Sequence, residues 1–157
     1  MIQRVQTIWL LLASVTLFGL FIFPYVNYID LVGLGKKIYV SGVFSAVNGE
    51  AVKQESFILQ MIVAALVAAF PLFIIFKFKD RKLQIRLVFL AIVLIILLAI
   101  WMYVAAGNIL SLTSQFLGAN NIGIGFFLLP ISIILLSLAL GAIRKDEKLI
   151  KSAERLR

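Results

Sequence analysis

The sequence predicts an all-α membrane protein: a four-helix transmembrane bundle with a small extracytoplasmic β-hairpin-like cap and a short cytoplasmic C-terminal amphipathic helix. Three observations lead there. Four apolar runs, Ile8–Tyr25, Phe57–Phe76, Leu87–Ala106 and Ile124–Ile143, carry no charge at all. A bilayer core of about 30 Å takes about 20 helical residues at ~1.5 Å each, so every run is long enough to cross once. Composition agrees, with 63% hydrophobic and 14% charged residues, where soluble domains carry about 25% charged. Finally, the basic residues are sorted. Twelve of the fifteen flank the start of run one, the link between runs two and three, and the end of run four; the other side holds only Lys36, Lys37 and Lys53. Basic residues near spans are retained in the cytoplasm, so both termini are expected there.

The elements follow in order along a single domain, 1–157. The first span, about 7–25, is preceded by Arg4 and ended by Pro24, whose ring and missing N–H stop a helix. A lone early arginine before an apolar stretch also suits a cleaved leader. Phe23–Asn27 is bulky throughout, however, and lacks a small-residue cleavage pattern, so an uncleaved helix is expected. Trp9 at the inner interface, and Tyr25, Tyr28, Trp101 and Tyr103 at the outer one, are expected to sit at headgroup depth as anchors.

The first outer loop, 26–56, contains Lys37–Ser45, rich in β-branched and aromatic residues, followed by the turn-forming Asn48-Gly49. A short strand or hairpin capping the bundle is expected. Gly33 and Gly35 mark a turn; a phosphate loop would need a preceding strand and a following helix. The second outer loop, 107–123, is uncharged. Its Leu110 and Leu112 alternate with Ser111 and Thr113, as in a strand that pairs with the first loop; equally, Ser114–Leu117 suits one helical turn on the membrane surface. Both readings stay open.

Spans two and three, about 57–76 and 87–106, are joined by the short basic link 77–86 and so are antiparallel neighbours. Ala64, Ala65, Ala68 and Ala69, with Gly19 and Ala139, permit close helix approach. Pro71 and Pro130 lie inside spans and free the carbonyls of Val67 and Phe126. Freed carbonyls coordinate cations in some transporters. No acid accompanies either proline, and prolines are ordinary in membrane helices, so both are expected to be helix kinks. The fourth span, about 124–143, leads into the tail 144–157. There Leu149, Ala153 and Leu156 recur at helical spacing, as in an amphipathic helix lying on lipid or on a partner.

Absences prune function. With no cysteine and no histidine, thiol chemistry and the commonest metal ligand are missing. All seven acids lie outside the spans, so no catalytic, cofactor-binding or metal-ligating residue is designated, and neither a metal nor a cofactor is expected. The adjacent Asp146 and Glu147, surrounded by Arg144, Lys145 and Lys148, read as intrahelical ion pairing. A net charge of +8 would suggest nucleic acid in a soluble protein; here its sorting points to topology and anionic headgroups instead. Outside, Lys36, Lys37 and Tyr39 are the groups suited to an anion.

Both ends of the chain resemble a family. The opening Met1–Ala13, MIQRVQTIWLLLA, and the close Arg144–Arg157, RKDEKLIKSAERLR, are similar to the two ends of the domain of unknown function 4293 family, with Glu154-Arg155 where that family usually has Asp-Arg. The resemblance implies a small four-span protein of the bacterial inner membrane, of bacteroidete type, and brings no activity. It draws attention to Gln3, Arg4, Gln6, Arg144, Asp146, Glu147 and Arg155 as contacts for a partner or for headgroups; setting topology and anchoring the helices is the competing role. The expectation is a non-enzymatic scaffold or accessory subunit in the lipid bilayer, with a protein partner or as a homo-oligomer. A small transporter or channel component is the alternative, and a lipid-modifying enzyme the least favoured.

Overall fold

The computed structural model describes residues 3–29, 33–47, 50–78, 80–112 and 114–155. The charge-free runs form helices, since a regular helix satisfies every interior backbone N–H and C=O within the segment. They are α1 (Gln3–Phe18), α2 (Ile58–Ile75), α3 (Arg81–Ser111) and α4 (Ile124–Arg155). α1 tightens into a 3₁₀ turn at Gly19–Phe21 and stops short of Pro24. Three helices are long and apolar enough to cross a membrane, over Ile58–Ile75, Arg81–Ser111 and Ile124–Ile150; Val5–Phe21 is a shorter apolar helix. α3 overruns the expected 87–106 at both ends. α4 continues without a break into the expected tail helix as far as Arg155, and Leu156 lies outside the described residues.

Consecutive helices pack side by side, and α4 closes the ring on α1 in the most extensive helix contact. Leu10, Ala13 and Leu17 of α1 meet Ala64 and Ala68 of α2, Ile95 of α3 and Leu136 and Ala139 of α4 in one buried apolar core. Of the four alanines in α2, Ala64 and Ala68 face that core, while Ala69 is exposed. A Cβ added at Gly19 would lie 3.0 Å from Leu128 Cδ1 and press on α4. Ser14 is buried, and its hydroxyl donates to the Ala68 carbonyl at 2.6 Å, next to the Val67 carbonyl that Pro71 frees. Interhelical bonds of this kind average about 0.6 kcal/mol. Ser14→Ala is therefore expected to lower stability by about that much, read as the shift in a denaturing-detergent unfolding midpoint; an unmoved midpoint would show that the bond contributes nothing.

The cap is larger than a hairpin. Strands β1 (Val26–Ile29), β2 (Gly35–Tyr39), β3 (Gly42–Val47) and β4 (Glu50–Ser56) form an antiparallel meander in sequence order. Asn48-Gly49, between β3 and β4, lies outside the described residues. β1 pairs Val26 with Ile38 and Tyr28 with Lys36, and β2 pairs Ile38 with Val43. One row, Val26, Tyr28, Ile38 and Val43, is buried in the same core as the helices. A bulge at Val43/Phe44 brings β4 so close that a Cβ on Gly42, at φ +144°, would overlap the Glu55 carbonyl oxygen. Tyr25 and Tyr28, expected as interfacial anchors, are instead buried at 0% and 6% exposure, because the sheet folds over them.

The second outer loop follows neither open reading. Leu110 and Ser111 belong to α3, a 3₁₀ turn forms at Ala119–Asn121, and the bridge to the first loop is made by Ile122 with Val26. Glycines allow this docking. The Gly123 N–H donates to the Tyr25 carbonyl at 2.8 Å and the Gly125 N–H to the Pro24 carbonyl at 2.9 Å.

Candidate functional site at the basic end

The helix ends opposite the sheet carry the residues singled out by the sequence. α2 ends at Ile75, and Asp80 caps α3, its carboxylate accepting from the Leu83 N–H at 3.0 Å. That cap places Arg81 in the first turn of α3. Its guanidinium reaches across to α4, where Arg81 Nη1 lies 3.2 Å from Asp146 Oδ2. Asp146 is 5% exposed and Arg81 19%. The expectation of a purely local pairing for Asp146 is thus corrected. Its carboxylate faces α3, where a lone buried charge would be costly and an opposite charge is within reach.

A second contact fastens the same two helices. The Arg144 guanidinium sits 5.3 Å from the centre of the Phe89 ring on α3. Lys77 sits 5.2 Å from the Phe73 ring in the same way, covering the end of α2. Gln84 joins α3 to α2, its amide donating to the Ile74 carbonyl at 3.4 Å. Gln84 and Gln6 are buried, and their side-chain oxygens have no hydrogen-bond partner among the described residues.

The structure therefore brings Gln6, Arg144 and Asp146 to one end of the molecule and adds Arg81 and Gln84, which the sequence alone does not single out. Glu147 is half-buried beside Asp146. Gln3 and Arg4 open α1 and Arg155 closes α4; their side chains lie outside the described residues. The rim is basic, since Lys82, Arg86, Arg144, Lys145 and Lys148 are all exposed. Among the described residues no group of three histidine, cysteine or acidic side chains is placed to hold a metal ion.

Pro71 is buried within α2, whereas Pro130 lies on the exposed side of α4. Both helices run on through their prolines. Near Pro130 the Ser132 hydroxyl donates to the Leu128 carbonyl at 2.7 Å, and the Ser137 hydroxyl to the Ile133 carbonyl at 2.8 Å. These serines serve their own helix.

Chemically, this end offers a fixed apolar and basic surface. α4 carries residues 144–155 beyond its charge-free run as one continuous helix, with Leu149 and Ile150 exposed among charged neighbours. A family model described as Domain of unknown function (DUF4293) matches residues 2–156. No curated protein and no solved structure matches the chain.

Proposed function

The chain belongs to the DUF4293 family, and on that premise we propose that it is a non-enzymatic scaffold or accessory subunit of a complex in the bacterial inner membrane. In this reading Val5–Phe21 is the fourth span, since 17 residues meet the lower limit of about 17 for a crossing helix. The sorting of basic residues then puts both termini and the Arg81–Asp146 contact in the cytoplasm. The exposed lysines and arginines of the rim lie against anionic headgroups.

The observation that carries the proposal is the fixed extension of α4. Asp146 and Arg144 fasten it to α3, so Leu149 and Ile150 are presented on a rigid helix rather than on a loose tail. An apolar pair framed by charges suits a protein groove better than open water. The bundle interior supports a scaffold over a transporter: among the described residues its buried middle is apolar apart from Ser14 and Ser132, whose hydroxyls donate to backbone carbonyls, and Pro130 faces outward.

Double substitution Leu149→Ser and Ile150→Ser tests this, because neither side chain belongs to the buried core. Purified in mild detergent, the natural chain is expected to retain a stoichiometric partner or a defined oligomer, and the variant to lose it while remaining folded. A natural chain that is a lone monomer, or a variant that keeps its partner, would defeat the reading.

A further inference from the structure

At the opposite end of the molecule, the sheet and the second outer loop form an open cavity of about 580 Å³, lined by Asn27, Tyr28, Ile29, Gly35, Lys36, Lys37, Asn120 and Asn121. That volume lies within the ~300–1,000 Å³ of small-molecule sites. We propose that this cavity binds a polyol phosphate, an anionic phosphate carrying neighbouring hydroxyl groups.

The argument begins with what forms the walls. Asn27 pairs with Lys37 across β1 and β2, on the face of the sheet turned away from the buried row. Asn120 and Asn121 come from the 3₁₀ turn at Ala119–Asn121, more than 80 residues further along the chain. The two walls are held at fixed separation. Ile122 bridges to Val26, the Gly123 N–H donates to the Tyr25 carbonyl, and Gln115 Nε2 donates to the Ile29 carbonyl at 2.7 Å. The Asn121 amide donates to the Phe116 carbonyl at 3.1 Å, which sets that side chain in turn. A site whose walls are already fastened spends little ordering entropy when a ligand enters.

The chemistry of the lining selects the ligand. Of the lining lysines, Lys36 shares the row of Tyr28 and Lys37 stands exposed on this face; with no acid among the described lining residues, the Lys37 ammonium draws negative charge. Asparagines supply both a donor and an acceptor, the pairing that a hydroxyl needs, and Ile29 offers an apolar patch to a carbon skeleton. Tyr39, grouped with these lysines in the sequence, is not among the described lining residues; its ring packs edge-on against Phe44 at 5.2 Å. Phosphate with adjacent hydroxyls matches ammonium plus amides better than a bare inorganic anion, which would leave the asparagines unused.

Such a group has two sources, a soluble sugar or glycerol phosphate and the headgroup of phosphatidylglycerol. Both are tested on the full-length protein in phosphatidylcholine nanodiscs. One arm titrates glycerol 3-phosphate by calorimetry; the other adds phosphatidylglycerol to the nanodisc and follows the environment of a reporter at Asn120. Saturable binding in the first arm assigns a soluble ligand, and response only in the second assigns the headgroup. In either arm Lys37→Ala and Asn27→Ala are each expected to weaken binding at least about tenfold, since each removes a hydrogen-bonding partner from an exposed position. Inorganic phosphate is expected to bind at least about tenfold more weakly than glycerol 3-phosphate. No saturable response in either arm, or undiminished binding by both variants, overturns the proposal.

Discussion

Asp146→Ala is expected to cost about 2 kcal/mol of stability, a large effect for a single substitution at a helix end. The carboxylate is 5% exposed and its partner Arg81 19%. Removing one member of a fully buried pair costs about 3–5 kcal/mol, because the other charge is left without compensation. Arg81 keeps a path to solvent, which brings the figure down. Arg81→Gln should cost as much or more, since it strands the more deeply buried member. The informative measurement is the double-mutant cycle of Asp146→Asn with Arg81→Gln in denaturing-detergent titration. A coupling energy of about 1–2 kcal/mol is expected, and one below about 0.3 kcal/mol would mean that the contact holds nothing. Exchanging the two, Arg81→Asp with Asp146→Arg, should recover much of the loss. The swap puts a carboxylate in the first turn of α3, where the helix dipole favours it.

Gly123→Ala is expected to be a strongly damaging change at the other end, at about 3 kcal/mol. A Cβ at that position would overlap the Pro24 carbonyl oxygen and lie 3.0–3.1 Å from the carbonyl carbons of Pro24 and Tyr25. All of these are backbone atoms, which cannot swing aside as a side chain would. The loop must retreat, and with it go the Gly123–Tyr25 hydrogen bond and the Ile122–Val26 bridge. Gly118→Ala is the control, since nothing lies within 4 Å of a Cβ there. It should change stability by no more than about 0.5 kcal/mol. Limited proteolysis of 114–122 reads the same difference locally: faster cleavage is expected for Gly123→Ala and unchanged cleavage for Gly118→Ala. Equal behaviour of the two variants would mean that the loop is not held by this approach.

The helices were legible because each is an apolar run of one chemistry, which shows itself by length and composition alone. The sheet was only half legible. Lys37–Ser45 shows its strand character in Ile38, Val40, Val43 and Phe44, and it corresponds to most of β2 and β3. β4 is hidden by Glu50, Lys53, Gln54 and Glu55, which belong to an edge strand exposed to solvent, where charges discourage further pairing. β1 is four residues long and follows directly on an apolar helix, so Tyr25 and Tyr28 look like interfacial rings. At the basic end, Gln6 and Asp146 were visible as residues, but the contact of Asp146 with α3 was not. Ion pairs three or four residues apart can be read from spacing. The partner of Asp146 lies on another helix, and only the antiparallel packing of α3 and α4 brings the two together. Gln60 and Gln84, both buried, gave no signal, because a glutamine at the edge of an apolar run looks like an ordinary flank.

The ring of helices closes between the first and the last, and that has a consequence for assembly during synthesis. α1 makes its most extensive contact with α4, yet α4 begins only at Ile124. At about 5–20 residues per second, α1 waits roughly 5–20 s for its main neighbour. Over that interval α2, which follows the sheet directly, is the neighbour available to it, and the Ser14 hydroxyl already has its acceptor there. The nascent chain thus passes through a three-helix stage with one flank of α1 open. Shielding that flank during synthesis is expected to raise the yield of folded protein without altering the finished molecule.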